Sequence, residues 1–163
     1  YDQRMMIELY YADEIMKRAK EDPSMLEDME ECYNDMEKFV SSNGELTGLT
    51  WVNCETRFHR RYMEGCSNRR LYDLYCKLDT NKTSYMTYLN NNKLPLSLEF
   101  LKMNNKEHKE LMEAIRLSDS KRFCQVVYGH LIRSCAVYAI DEASQKRFEQ
   151  MKENAERFIA KIS

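Results

Sequence analysis

Apolar residues recur at steps of three and four along nearly the whole chain, and only four glycines and two prolines interrupt them. That spacing is the signature of a helix with one face turned to a core. Met5, Leu9, Ala12, Met16 and Ala19 form one such stripe, so residues 2–21 read as a helix. Pro23 and Ser24 then punctuate the chain, with Ser24 the expected N-cap. Met29, Cys32, Met36 and Phe39 give a second stripe, ended by Ser41-Ser42-Asn43-Gly44 with Gly44 as the left-handed cap.

Further helices are expected from Thr50 to Gly65 and over 67–78, followed by an irregular, Asn-rich stretch at 79–96 with room for one helical turn. Ser97 opens a short helix to Met103, and another covers 104–117. Residues 120–140 form the most apolar helix, and 142–162 the last, striped by Phe148, Met151, Ala155, Phe158 and Ile162. No strand alternation or hairpin signal competes with this pattern. The expected fold is an all-α, single-domain, disulfide-stapled bundle of six to eight helices spanning residues 1–163.

A chain of 163 residues can bury a sizeable core by itself. A net charge of -2 argues against general nucleic-acid binding, which needs a basic face. The longest apolar run, residues 124–140, carries His130 and Arg133 in its middle and falls short of a membrane span. It reads as a buried helix.

Six cysteines, at 32, 54, 66, 76, 124 and 135, form an even set without CxxC or a zinc pattern. Such a set, with the sequon Asn81-Lys82-Thr83 as a glycan acceptor and a start at Tyr1 in place of Met, points to secretion after removal of a signal segment. Cys124 and Cys135 lie on one helix about 16 Å apart, beyond the roughly 7 Å that a disulfide spans. They would therefore staple the apolar helix to two positions within 32–76, and several complete pairings remain open.

Residues 57–70, RFHRRYMEGCSNRR, concentrate five arginines and a histidine. On a wheel of about 100° per residue with Cys54 at zero, Phe58, Trp51 and Tyr62 fall at about 40° to 80°. Arg57, His59 and Arg60 fall away from that face, and Arg61 borders it. Eight acidic residues and no basic one lie between 21 and 37, a natural internal partner for this charge. A partner-binding site, if one exists, is assigned to Arg57, Arg60, Arg69 and Arg70, whose planar forks suit acidic groups.

Only His59, His108 and His130 could act as imidazole bases, and none sits in a hydrolase, metalloprotease or nucleotide-binding motif. Glu55 and His59 stand one helical turn apart, but no further ligands are apparent, so no metal, cofactor or catalytic residue is assigned. His130 reads as a hydrogen-bonded core histidine, and Gly129 as a point of close helix approach.

The expected function is a non-enzymatic, secreted interaction protein, with eleven tyrosines favouring a recognition surface. The alternative is a carrier of a small apolar ligand in a pocket walled by some of the eleven methionines. The cysteines are separated by 21, 11, 9, 47 and 10 residues, which is not the odorant-binding framework. In helical content, stapling and lack of a catalytic motif, the chain resembles the small salivary effector proteins of blood-feeding insects. That resemblance implies an extracellular glycoprotein of saliva that modulates host immunity or haemostasis by binding a host protein or receptor.

Overall fold

Scarce breakers and a helical apolar period produce helices and no strand among the described residues. The computed structural model describes residues 1–42, 48–80, 83 and 97–162, with the side chains of 48, 49 and 162 excepted. Among the described residues eight helices follow in order: α1 (Asp2–Tyr10), α2 (Ala12–Glu21), α3 (Ser24–Ser41), α4 (Gly48–Met63), α5 (Arg69–Leu78), α6 (Leu98–Arg116), α7 (Ser120–Ala136) and α8 (Glu142–Ile162). Helix α3 lies along α4 and α6, α6 packs on α7, and α7 carries α1 and α8. Helix α2 reaches α6 and α7, and α1 also meets α5 and α8. None of these helices is long and apolar enough to cross a membrane.

The core is the set of stripes read from the sequence. Met5, Leu9, Ala12, Met16 and Ala19 are all buried, as are Met25, Met29, Cys32, Met36 and Phe39 of α3 and Trp51, Phe58 and Tyr62 of α4. Methionines thus serve here mostly as flexible filler between helices. At Gly65, a Cβ would come within 2.9 Å of the Ile15 Cα, so the missing side chain lets α2 pass close to the end of α4.

Several boundaries differ from the expectation. The helix at 2–21 is two, because Tyr11 (φ -95°, ψ 11°) departs from helical geometry while its N–H still donates to the Ile7 carbonyl at 3.2 Å. The α3 cap position is Pro23, and the Ser24 hydroxyl donates instead to the Asp22 carboxylate at 2.5 Å. Helix α6 is continuous where two helices were expected. Asn104 and Asn105, where the second was expected to start, are buried, with Asn105 donating to Glu37 at 2.7 Å and Asn104 accepting from Arg133. Ser97 caps α6 as expected, accepting the Phe100 N–H at 3.1 Å. Helix α7 ends at Ala136, four residues short of the expected 140. Gly44, Pro95 and Asn81, the acceptor of the sequon, lie outside the described residues.

The bundle is not stapled. All six cysteines are free, with Cys32, Cys54, Cys66 and Cys124 buried and Cys76 and Cys135 half-buried. The four buried ones belong to the hydrophobic core as small hydrophobes, and Cys135 packs against it. Burial pushes the Cys124 thiol up to about 12, which suppresses the thiolate needed for oxidation. Gly129 also corrects the reading above, since a Cβ there meets nothing within 4 Å. It is an exposed mid-helix glycine, so Gly129→Ala is expected to stabilise the chain by about 0.5–1 kcal/mol. Urea unfolding would read the gain as a higher midpoint at an unchanged slope.

Candidate metal centre

Helix α4 is buried over half its circumference, not over the narrow aromatic strip that the wheel suggested. Val52, Glu55, His59 and Met63 extend the buried arc beyond Phe58 and Tyr62, because α4 packs against α2 as well as α3. Glu55 and His59, one turn apart, therefore point into the protein. There they meet His108 from the buried face of α6 and His130 from that of α7. One carboxylate oxygen and three imidazole nitrogens lie within 4.8 Å of one another.

The individual distances are compact. His59 Nε2 stands 3.2 Å from His108 Nε2 and 4.0 Å from Glu55 Oε1, and His130 Nε2 stands 3.8 Å from the same oxygen. Ligands held at 2.0–2.2 Å around one transition-metal ion sit roughly 3 to 4 Å apart. These three separations fit that frame, and the remaining pairs, all within 4.8 Å, would draw in slightly around an ion. His130 Nε2 has no hydrogen-bond partner among the described residues, although it is buried. Such an orphan costs about 1–3 kcal/mol unless something at the centre engages it.

Protonation prepares the same set. Burial, reinforced by Arg4 and the neighbouring imidazoles, holds His59 and His108 well below the ordinary histidine value. Burial also lowers His130, against the opposing hydrogen bond to Glu107. All three imidazoles are thus uncharged at neutral pH, the form that binds metal. Burial raises the Glu55 carboxyl to about 7, with Arg4 and Arg133 working in the opposite direction.

Around this centre lies a supporting layer. His130 Nδ1 bonds Glu107 at 2.8 Å, and Arg133 Nε donates to the same carboxylate at 2.9 Å. Burial would raise Glu107, but these hydrogen bonds outweigh it and hold the carboxyl below its ordinary value. On the other side, His59 Nδ1 lies 2.7 Å from the Tyr62 hydroxyl, which donates to Glu8. Glu8 also accepts from Tyr75 at 2.7 Å and pairs with Arg4 at 2.5 Å, all buried.

A pH effect follows for the metal-free protein. Each histidine has a folded pKa below its unfolded one, so its contribution is present at neutral pH and lost as pH falls below about 6.5, at about 1.4 kcal/mol per unit. Glu55 has the opposite sign, since its raised folded pKa stabilises the fold on acidification from about 7 to 4.5. Three imidazoles outweigh one carboxyl, so stability should peak near neutrality and fall steeply below pH 6.5. Urea midpoints measured in chelator from pH 7.5 to 5 test this; a flat profile contradicts it.

A model of the FCD domain family matches residues 1–133, a span that contains Glu55, His59, His108 and His130. The chain belongs to the FCD domain family. No curated protein and no solved structure matches it. FCD domains are the effector-binding domains of GntR-family transcription regulators. Membership corrects several expectations at once. The resemblance to salivary effectors falls, and with it the extracellular location, the host protein or receptor as partner, and the role in immunity or haemostasis. The expectation of no nucleic acid falls too, because the net charge describes only this chain, while FCD domains work with a separate DNA-binding domain.

The apolar-carrier reading is corrected with the rest. An open groove of about 570 Å³ between α1, α5 and α8 does have Met5, Met6 and Met151 among its walls, but none of the four centre residues lines it. As for the arginines, Arg57 faces Glu31 of α3 at 3.7 Å, and Arg60 donates to the Cys76 carbonyl at 2.8 Å beside Asp79. Arg69 stacks 4.4 Å over the Tyr72 ring, and Arg70 is exposed. Arg61 binds Asp28 at 2.6 Å and Asp22 at 3.3 Å, tying α4 to the acidic stretch.

The sequence reading of this FCD domain paired Glu55 with His59 but missed His108 and His130. One signal was available. His108 takes a core position in the run Leu101, Asn104, His108, Leu111, Ile115, and His130 does so beside Val127 and Leu131. An imidazole on the apolar face of each of these two helices is a hint of convergence.

Proposed function

We propose that this FCD domain is the effector-binding part of a transcription regulator, and that Glu55, His59, His108 and His130 hold a divalent transition-metal ion at its core. The observation that carries the reading is the convergence of three uncharged imidazoles and one carboxylate from three helices. The donor set is right for such an ion, since imidazole nitrogen with a carboxylate oxygen suits zinc and its neighbours. The orphaned His130 Nε2 and the carboxylate of Glu55, raised by burial, both gain from a cation there.

When bound, the ion would supply a Lewis-acidic point of attachment for an oxygen of the effector. The surrounding charges indicate which effector. Glu8 is matched by Arg4 and Glu107 by Arg133, so a dication beside Glu55 leaves one positive charge in excess. Arg133 Nη1 is buried with no hydrogen-bond partner among the described residues. A small organic monoanion, above all a carboxylate, fits this balance. The domain binds its ligand and does not turn it over; its output is the DNA affinity of the regulator that contains it.

Calorimetric titration of zinc-loaded and chelated chain with a panel of small carboxylates tests the proposal. At least one acid should bind the loaded form and lose 10-fold or more in affinity after chelation or in His108→Ala. Binding that ignores the metal would overturn it.

A further inference from the structure

We propose that Tyr62, braced by Glu8, is a positioning residue that fixes the His59 ring with its proton on Nδ1 and so presents a bare Nε2 to the centre. The inference rests on the metal-binding reading above and extends it to residues that touch no ion. A tyrosine hydroxyl has one proton to give. Tyr62 gives it to Glu8 Oε2. Glu8 cannot return the favour, because its carboxylate is opposed by the Arg4 guanidinium at 2.5 Å and accepts the Tyr75 hydroxyl at 2.7 Å. The Tyr62 oxygen is left to accept, and the group facing it at 2.7 Å is His59 Nδ1. That nitrogen must carry the proton.

The consequence reaches the centre directly. Neutral imidazole holds one proton, so His59 Nε2 offers a lone pair, and at 3.2 Å the neighbouring His108 Nε2 supplies the hydrogen in the metal-free protein. Tyr62 is held in place by packing. It is fully buried, with its ring edge-on to Phe58 at 6.2 Å and Phe123 at 5.4 Å. Its partner His59 sits three residues earlier on the same helix, and Glu8 comes from α1. His130 is fixed in the same tautomer by Glu107 directly. His108 Nδ1 has no partner among the described residues, so its proton alone is free to change nitrogen when an ion enters.

Supporting bonds of this kind change metal affinity by about 10- to 100-fold when removed. The test compares the ¹⁵N-labelled chain with Tyr62→Phe and Tyr75→Phe. Tyr75 gives the better control, because it also donates a buried hydroxyl to Glu8, whereas the hydroxyl facing His59 Nδ1 is that of Tyr62. In metal-free protein, long-range ¹H–¹⁵N spectra should show His59 protonated on Nδ1 in the wild type and in Tyr75→Phe, and an Nε2-protonated population in Tyr62→Phe. Competition with a zinc chelator should show Tyr62→Phe binding 10- to 100-fold more weakly and Tyr75→Phe within about threefold of wild type. A wild-type His59 protonated on Nε2, an unchanged tautomer in Tyr62→Phe, or equal zinc losses in the two variants would overturn the assignment. If wild-type chain takes up no zinc, the proposed function fails, while the spectra of the wild type still decide the tautomer.

Discussion

Zinc at a thousandfold excess over its dissociation constant is expected to raise the melting temperature of the metal-free chain by about 8 to 16 °C. A ligand that binds only the folded state adds about 4 kcal/mol under that condition. For a domain of this size, each kcal/mol moves the midpoint by about 2 to 4 °C. His108→Ala removes one ligand from the centre and should reduce the shift to below about 2 °C. The comparison is clean because the chain has three histidines in all and every one of them lies in the centre. No surface imidazole competes for the ion. Equal shifts in both proteins would mean that zinc binds elsewhere.

Glu8→Ala should produce the largest loss of stability available from a single polar side chain. Arg4 and Glu8 are 3% and 1% exposed, and removing one partner of a buried pair strands the other charge at a cost of about 3 to 5 kcal/mol. The Tyr62 and Tyr75 hydroxyls lose their acceptor in the same step. Against a total of about 5 to 15 kcal/mol, this is a large share of the fold. Chemical denaturation should show it as a lower midpoint, and Arg4→Met in the same background should recover part of it, since the stranded charge is then gone. A loss below about 1 kcal/mol would show that the pair is hydrated and not part of the core.

The helical class and most of the core were readable because apolar period alone decides them. Met5, Leu9, Met16, Met29 and Met36 fall where a period of about 3.6 places them. Boundaries failed where tertiary partners override local preference. A break was expected between Met103 and Asn104, yet Arg133 and Glu37, far away in sequence, satisfy Asn104 and Asn105 inside one continuous helix. Tyr11 bends the first helix without any proline or glycine to announce it.

The centre was half readable. Glu55 and His59 share a turn of one helix, so spacing alone brings them together. His108 and His130 join them through the packing of α4 and α6 on α3 and of α6 on α7, which no local pattern encodes. The cysteines misled for a complementary reason. An even count suggested bridges, yet Cys32, Cys54 and Cys124 each sit in an apolar face where a thiol packs as well as an alanine or valine. Their even number carries little information about compartment once burial accounts for four of the six separately.

Metal content per chain is the most direct measurement. The chain is stripped with chelator, dialysed against micromolar zinc, then against metal-free buffer, and the zinc retained is counted by atomic spectroscopy. The account predicts one ion per wild-type chain and none in a Glu55→Ala, His108→Ala double variant that still gives a helical spectrum and a cooperative melt. Zinc-free wild-type protein, or one ion retained by the folded variant, would contradict it.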